Sequence, residues 1–175
     1  MPSPLLPASE VRDLIDYNPD TGVLTWKTRS NLKPKAGSWN ERNAGNVLST
    51  RDSKGYIVIQ IYKKKYRAHR IAWLIHYGEW PKLNLDHKNL DKTDNRIENL
   101  REATVAQNGH NVGLTTRNSS GHRGIYWHKL ANKWSVSICV NRKGMYLGLY
   151  EKLGDAVVVR CEAERLHYGE FARVA

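Results

Sequence analysis

Residues 125–150 alternate apolar and polar side chains with a period of two, and no other stretch of the chain restricts the fold as tightly. Trp134, Val136, Ile138 and Val140 fall on one face of a strand, opposite Lys133, Ser135, Ser137 and Cys139. Ile125 and Trp127 open the pattern, with Tyr126 and His128 pointing the other way; Met145, Leu147 and Leu149 repeat it in a third strand. Successive strand residues point to opposite faces, so strict alternation describes a sheet with one dry and one wet side. The dry side needs a cover. Leu153, Ala156, Val157, Arg160, Ala163 and Leu166 fall near one side of a helix read from about Lys152 to His167. The expectation is three antiparallel strands packed on one helix over residues 122–175.

The charge distribution narrows the partner. No acidic residue occurs between Glu102 and Glu151, while Arg117, Arg123, Lys129, Lys133, Arg142 and Lys143 lie in that window. The 175-residue chain carries 28 Lys+Arg against 17 Asp+Glu, a formal net charge of +11. Solvated surfaces normally mix signs, so a long one-sign stretch favours a polyanion, with nucleic acid leading. No apolar run reaches membrane-spanning length, and MPSPLLPASE lacks a basic start and a sustained apolar core. Two cysteines, Cys139 and Cys161, with no CxxC pair exclude a disulfide scaffold and a cysteine-rich zinc site. A reducing cytoplasm is the expected compartment, with no membrane partner.

Upstream, Ser9 reads as the N-cap of a short helix, EVRDLID, followed by a turn at residues 18–22 and a strand, VLTWK. Residues 28–45 read as a polar loop. NVLST and YIVIQIY read as strands, and a return strand through Tyr66 leads into a helix, HRIAWLIHY, closed by Gly78. LNLDH is a short strand, DKTDNRIEN a polar turn region, and Thr104 caps a short helix. Linker composition at 109–121 marks the best boundary. The expected organisation is an N-terminal β-rich extension (1–55), a central domain (56–111), a linker (112–121) and a C-terminal domain (122–175).

The chemistry concentrates in LDHKNLDKTDNRIENLREATVAQN. Phosphodiester hydrolysis needs a positioned water, a base for its proton and charge stabilisation at the leaving oxygen. Asp86 offers a carboxylate and Asn108 an amide oxygen, hard ligands that suit magnesium, with manganese as a substitute, better than zinc. His87 is the candidate general base. Asn99 can accept a hydrogen bond from one of its ring nitrogens. Neighbours on a regular strand face opposite ways, so the strand is expected to break at His87. Arg101 either reaches the scissile phosphate or covers the hairpin. Asp94 and Asn95 read as turn residues, and His69 as a capping or packing residue.

This segment resembles the active-site motif of HNH endonucleases, in particular phage-type homing nucleases. The resemblance rests on Asp86-His87, DNRIENLR, Asn108 and the preceding AHRIAW, and covers about residues 56–111. The third motif position is Asn108 where His is the other family form. The resemblance implies an α+β fold with a ββα-metal nuclease core and the same four roles. Residues 118–172 resemble the plant Apetala-two/ethylene-response-factor DNA-binding domain, through HRGIYW, KWSVSI, YLGLY and RLHYG. That family lays its sheet in the DNA major groove, which implies contacts from Arg123, Tyr126, His128, Ser137, Cys139, Lys143 and Tyr146. Only Arg123 keeps a family arginine, so the plant base preference does not transfer. Lys133, Arg117, Arg142 and Arg101 complete the candidate DNA-binding set.

The combined expectation is a metal-dependent HNH endodeoxyribonuclease acting on double-stranded DNA, phage-encoded and working in a bacterial host cytoplasm. One active site and no dimerisation stripe point to a monomer that nicks. The competing expectations are a sequence-specific DNA-binding protein that retains the fold without catalysis, and an RNA-directed enzyme of the same chemistry.

Overall fold

The computed structural model describes residues 6–29, 37–111, 113–114 and 118–172; Arg117 lies outside the described residues. The chain divides into two compact units, Met1–Ala103 and Thr104–Ala175. The division falls before the short helix capped by Thr104, upstream of the 112–121 stretch whose composition suggests a linker.

The first unit runs α1 (Ala8–Leu14), β1 (Ile15–Tyr17), β2 (Leu24–Trp26), α2 (Gly37–Asn43), β3 (Val58–Ile61), β4 (Lys64–Arg67), α3 (Ala68–Tyr77), β5 (Asn84–His87) and β6 (Leu100–Ala103). Its strands form three antiparallel pairs, β1–β2, β3–β4 and β5–β6. Val11, Ile15 and Leu24 are buried in one cluster with Ile59, Ile61, Tyr66, Ile71 and Leu74. The N-terminal residues therefore share a core with the central ones and do not form a separate extension. Burial of large aliphatic side chains contributes about 1.5–3 kcal/mol each, which joins the two stretches.

Several local expectations change. Pro7, not Ser9, stands at the N-cap of α1. The stretch read as a polar loop contains α2, where Asn40 brackets Arg29, accepting from its N–H at 3.0 Å and donating to its carbonyl at 2.9 Å. The Arg29 guanidinium lies 3.6 Å from the Trp39 ring centroid. Polar composition hid this helix because its anchors are one cation and one ring. NVLST makes a single bridge, Thr25 to Val47, and no strand. The polar turn region ends in β6, whose Leu100 and Ala103 are buried.

The turn at 18–22 buttresses the loop between β5 and β6. Tyr17 Oη donates to the Asn95 carbonyl at 2.8 Å, and Ile97 N donates to the Pro19 carbonyl at 3.0 Å. Gly22 has φ +73°, and a Cβ there would lie 2.5 Å from Arg96 N.

The second unit runs α4 (Val105–His110), β7 (Ile125–His128), β8 (Lys133–Val140), β9 (Lys143–Tyr150) and α5 (Leu153–Tyr168). Thr104 and Gln107 form a reciprocal capping box on α4. The three strands make one antiparallel sheet in the order β7-β8-β9. Ile125 and Val136 cluster with Ala156, and Ile138 with Ala163 and Tyr168, so α5 covers the dry face. Arg160, on the covered side of α5, is satisfied by Glu164 and by the Ser137 carbonyl. A bulge between Val136 and Ser137 shifts the register on β9, with Gly148 at φ +126°. Leu147 packs into the core, whereas Leu149 pairs with Ser135 and is exposed. The alternation placed these two leucines together; the bulge separates them. Trp127 rests edge-on against Trp134 but stays 41% exposed, and Ser135 is buried between its strand partners Tyr126 and Leu149.

Gly22→Ala should destabilise the first unit by about 2 kcal/mol or more, because strain and a backbone clash coincide. Urea denaturation monitored by tryptophan fluorescence measures it; an unchanged midpoint would contradict the buttress.

Candidate active site

β5 ends at His87, and the turn begins at Lys88. The break expected at His87 comes one residue later: His87 still pairs with Leu100, so Asp86 and His87 hold successive positions of a regular ladder. Both side chains are buried, at 8% and 4% exposure. Asp86 faces its cross-strand partner Arg101. Arg101 Nε and NH2 both donate to Asp86 Oδ2, at 3.0 and 2.9 Å. Neither role expected of Arg101, reaching the scissile phosphate or covering the hairpin, included this pairing with the Asp86 carboxylate.

The loop from 88 to 99 is held by side-chain amides. Asn99 Oδ1 accepts from Asn89 N at 3.0 Å, and Asn99 Nδ2 donates to Asn89 Oδ1 at 3.0 Å and to the Asp94 carbonyl at 2.8 Å. Its own carbonyl accepts from Lys88 N at 2.9 Å. Asp94 is gripped by Arg96 Nε and NH2 and by Asn89 Nδ2, and these contacts hold its carboxyl below the usual range. Asp91 caps its own turn through Thr93.

The amide beside the His87 ring is that of Asn95. His87 Nε2 lies 3.3 Å from Asn95 Oδ1. The sequence reading gave this position to Asn99, which here closes the loop instead. Asn95 is 1% exposed and also donates from Nδ2 to the Thr93 carbonyl at 3.2 Å. Reading Asn95 as an ordinary turn residue missed it. With Nε2–H donating to Asn95 Oδ1, the His87 lone pair resides on Nδ1.

A second histidine enters through α3. His69 is 4% exposed, its ring centroid 5.0 Å from that of His87 with the planes at 87°. Tyr56 flanks both rings, at 5.3 and 6.0 Å. The Arg67 guanidinium and the Lys92 ammonium lie 4.0 and 5.1 Å from the Tyr56 ring. Burial lowers the His87 pKa, against opposing pulls from the Asn95 hydrogen bond and Asp86. Burial, followed by the charges of His87, Arg67 and Arg70, lowers that of His69 to about 3. Both rings are therefore neutral at pH 7, the form in which a histidine can take a proton.

Among the described residues no group of three or more His, Cys, Asp or Glu side chains could hold a metal. A closed zinc cage of such ligands is thus not formed by them. Magnesium needs only one or two protein oxygens alongside water and substrate phosphate, and Asp86 supplies a hard oxygen of that kind. Asn108 lies on α4 in the second unit, where its backbone N–H donates to the Thr104 carbonyl at 2.9 Å.

The candidate DNA-binding residues of the second unit lie at the sheet and its edges. Tyr126, Tyr146, Arg142 and Lys143 are exposed, and His128, Lys133, Ser137 and Arg123 are half-buried. Lys133 pairs with Glu151 at 3.2 Å, Arg123 NH1 donates to the His110 carbonyl at 2.8 Å, and His128 Nδ1 accepts from Ala131 N at 3.1 Å.

The buried histidines make stability depend on pH. In the unfolded chain a histidine takes up a proton near pH 6.5, while His69 in the fold does so only near pH 3. The unfolded state binds the proton first as pH falls, so the stabilisation is complete above pH 6.5 and is lost progressively below it; His87 acts in the same direction. Between pH 7 and 5, His69 should account for a loss of about 2 kcal/mol. Urea denaturation at both pH values should show a smaller loss in His69→Gln; an identical loss would contradict this burial.

Comparison with known proteins agrees with the position of this site. Residues 66–110 match the family described as HNH endonuclease, a span that contains His69, Asp86, His87, Asn99 and Asn108. The chain is 28% identical over 116 residues to Protein 3.8 of Escherichia phage T7, an alignment covering 64% of this chain and 95% of that protein. No solved structure matches it. No helix among the described residues is long and apolar enough to cross a membrane. Residues 66–110 are thus similar to HNH endonucleases, and in the first unit that span includes the end of β5 with His87 and His69.

Proposed function

We propose that this chain is a metal-dependent DNA endonuclease in which His87 is the general base and the second unit reads the DNA. The observation that carries the proposal is a buried, neutral His87 at a strand terminus, fixed through Nε2 by Asn95 and adjacent to the Asp86 carboxylate. A base held neutral can remove the proton of an attacking water at neutral pH. Asp86 would hold magnesium, or manganese in its place. When bound, the ion polarises the scissile phosphate and offsets charge at the leaving oxygen. Arg101 fixes the orientation of Asp86. Asn99 is a positioning residue that acts through the loop it closes.

The C-terminal sheet would read duplex DNA from the face carrying Tyr126, His128, Ser137 and Tyr146, with Arg123, Lys133, Arg142 and Lys143 at its margins. This follows the resemblance to the Apetala-two/ethylene-response-factor domain and the acid-free window. Cys139 stands on the same strand, and Arg117 belongs to the same basic window. Hydroxyl and imidazole groups can bond base edges, while the cations neutralise phosphates. A single site acting as a monomer cuts one strand per encounter, so nicking is the proposed outcome. The phage relative supports an origin in a phage and action inside its host.

His87→Ala should lower the cleavage rate by about 100- to 10,000-fold while leaving DNA affinity within about twofold. Single-turnover cleavage of labelled duplex and fluorescence anisotropy measure the two; cleavage at the wild-type rate would sink the assignment. Asp86→Asn leaves Arg101 an acceptor but no counter-charge, so it should destabilise the fold, though less than Asp86→Ala, whose cost is about 3–5 kcal/mol. Asp86→Asn should abolish magnesium-stimulated cleavage by protein that circular dichroism shows to be folded at the assay temperature; full activity in EDTA would overturn the metal role. Lys143→Ala should lower the slope of log affinity against log salt by about one unit, and an unchanged slope would remove Lys143 from the phosphate contacts.

A further inference from the structure

A cavity of about 500 Å³ lies within the second unit, between α4, the β8–β9 hairpin and the end of α5. This volume falls in the range of small-ligand sites and exceeds what a bare phosphate fills. Three residues lining it depart from local preference. Gly109 sits inside α4, where alanine would stabilise the helix, and a Cβ there would meet nothing within 4 Å. Arg142 occupies the hairpin turn at φ +65°, after Asn141 at φ +51°, a position where glycine is relaxed and arginine is strained. His110 stacks on Tyr168 with centroids 3.7 Å apart and planes at 8°, and its buried Nδ1 has no hydrogen-bond partner among the described residues. Departures from local rules that converge on one cavity mark a functional site.

The lining also states what would fit. Arg123 and Arg142 supply two guanidiniums, and among the described residues no carboxylate lines the cavity. Val105, Ala106 and Tyr168 supply an apolar wall. Guanidinium groups match phosphate oxygens, and a flat heterocycle suits the apolar part.

We propose that this cavity is a subsite for a single nucleotide, its phosphate held by Arg123 and Arg142 and its base lodged against Val105, Ala106 and Tyr168. The reading of the chain as a DNA enzyme bears on the source, which is one extrahelical nucleotide of the bound strand; the cavity chemistry stands without it. Gly109 keeps the base compartment open.

The test uses the full chain in EDTA, so that cleavage does not intervene. Anisotropy compares a duplex carrying one unpaired adenosine with the fully paired duplex, and thermal melting is followed with dAMP or inorganic phosphate. Wild type should bind the bulged duplex about fivefold or more tightly over the paired one, as expected for one buried base and its phosphate contacts. Gly109→Leu, which fills the base compartment, should lose that preference while binding the paired duplex normally. Arg142→Gly should lose it too, with a melting temperature equal to or above wild type, since glycine relieves the turn. If dAMP raises the melting temperature of wild type but not of Gly109→Leu while both duplexes bind equally, the subsite stands and its ligand is a free nucleotide. Equal binding of both duplexes with no dAMP shift would overturn the proposal, whether or not the chain cleaves DNA. A dAMP shift fully reproduced by inorganic phosphate would also overturn it.

Discussion

The carboxamide of Asn99 holds the β5–β6 end of the first unit together. The loop between β5 and β6 is built from Asn, Asp, Lys and Thr and has little apolar surface to bury. Its conformation therefore depends on polar satisfaction rather than on packing. Asn99 uses both ends of its side chain on Asn89 and Asp94 while its carbonyl receives Lys88 N. A buried backbone group left without a partner costs about as much as a lost hydrogen bond, so the loop closes as a unit. Closure brings Asn95 to His87. The β1–β2 turn supports it from outside, through Tyr17 Oη on the Asn95 carbonyl.

Around that frame the site is arranged by desolvation. His87 and His69 meet edge to face under Tyr56, in a place water scarcely reaches. Burial disfavours the imidazolium, so a base is available at neutral pH without a strongly basic neighbour. The Asp86 carboxylate, buried one residue away, is paired by Arg101, which offsets the cost of taking it out of water. A neutral base and a paired acid can therefore occupy consecutive positions at the strand end. The same pairing orients an oxygen of the type a hard cation needs.

Much of this was legible in the sequence, and the gaps have physical causes. Period two located β7, β8 and β9, because a half-buried sheet must alternate. It could not reveal the bulge at Val136–Ser137, which the ladder accommodates at Gly148 and which moves Leu149 to the wet face. The spacing around Asp86, His87, Asn99 and Asn108 carried the resemblance to HNH endonucleases, and the family match covers all four. It did not separate Asn95 from Asn99, since both are buried amides in one loop and only the closed backbone decides which reaches the ring. His69 reads as a helix-start residue because its partner lies 18 positions away in sequence. The N-terminal stretch read as an extension because its few core residues, Val11, Ile15 and Leu24, are scattered among polar ones. The helix α2 escaped for a similar reason, being anchored by Arg29 against Trp39.

The proposed function requires that the purified chain hydrolyse DNA with a metal held at the end of β5. The most direct measurement is the conversion of supercoiled plasmid in magnesium, with the ends analysed. A metal-dependent nuclease of this kind yields nicked circles bearing one phosphate and one hydroxyl at each break, and no conversion in EDTA. Supercoiled plasmid left intact in both magnesium and manganese by protein that binds it would contradict the account and favour a DNA-binding protein that retains the nuclease fold.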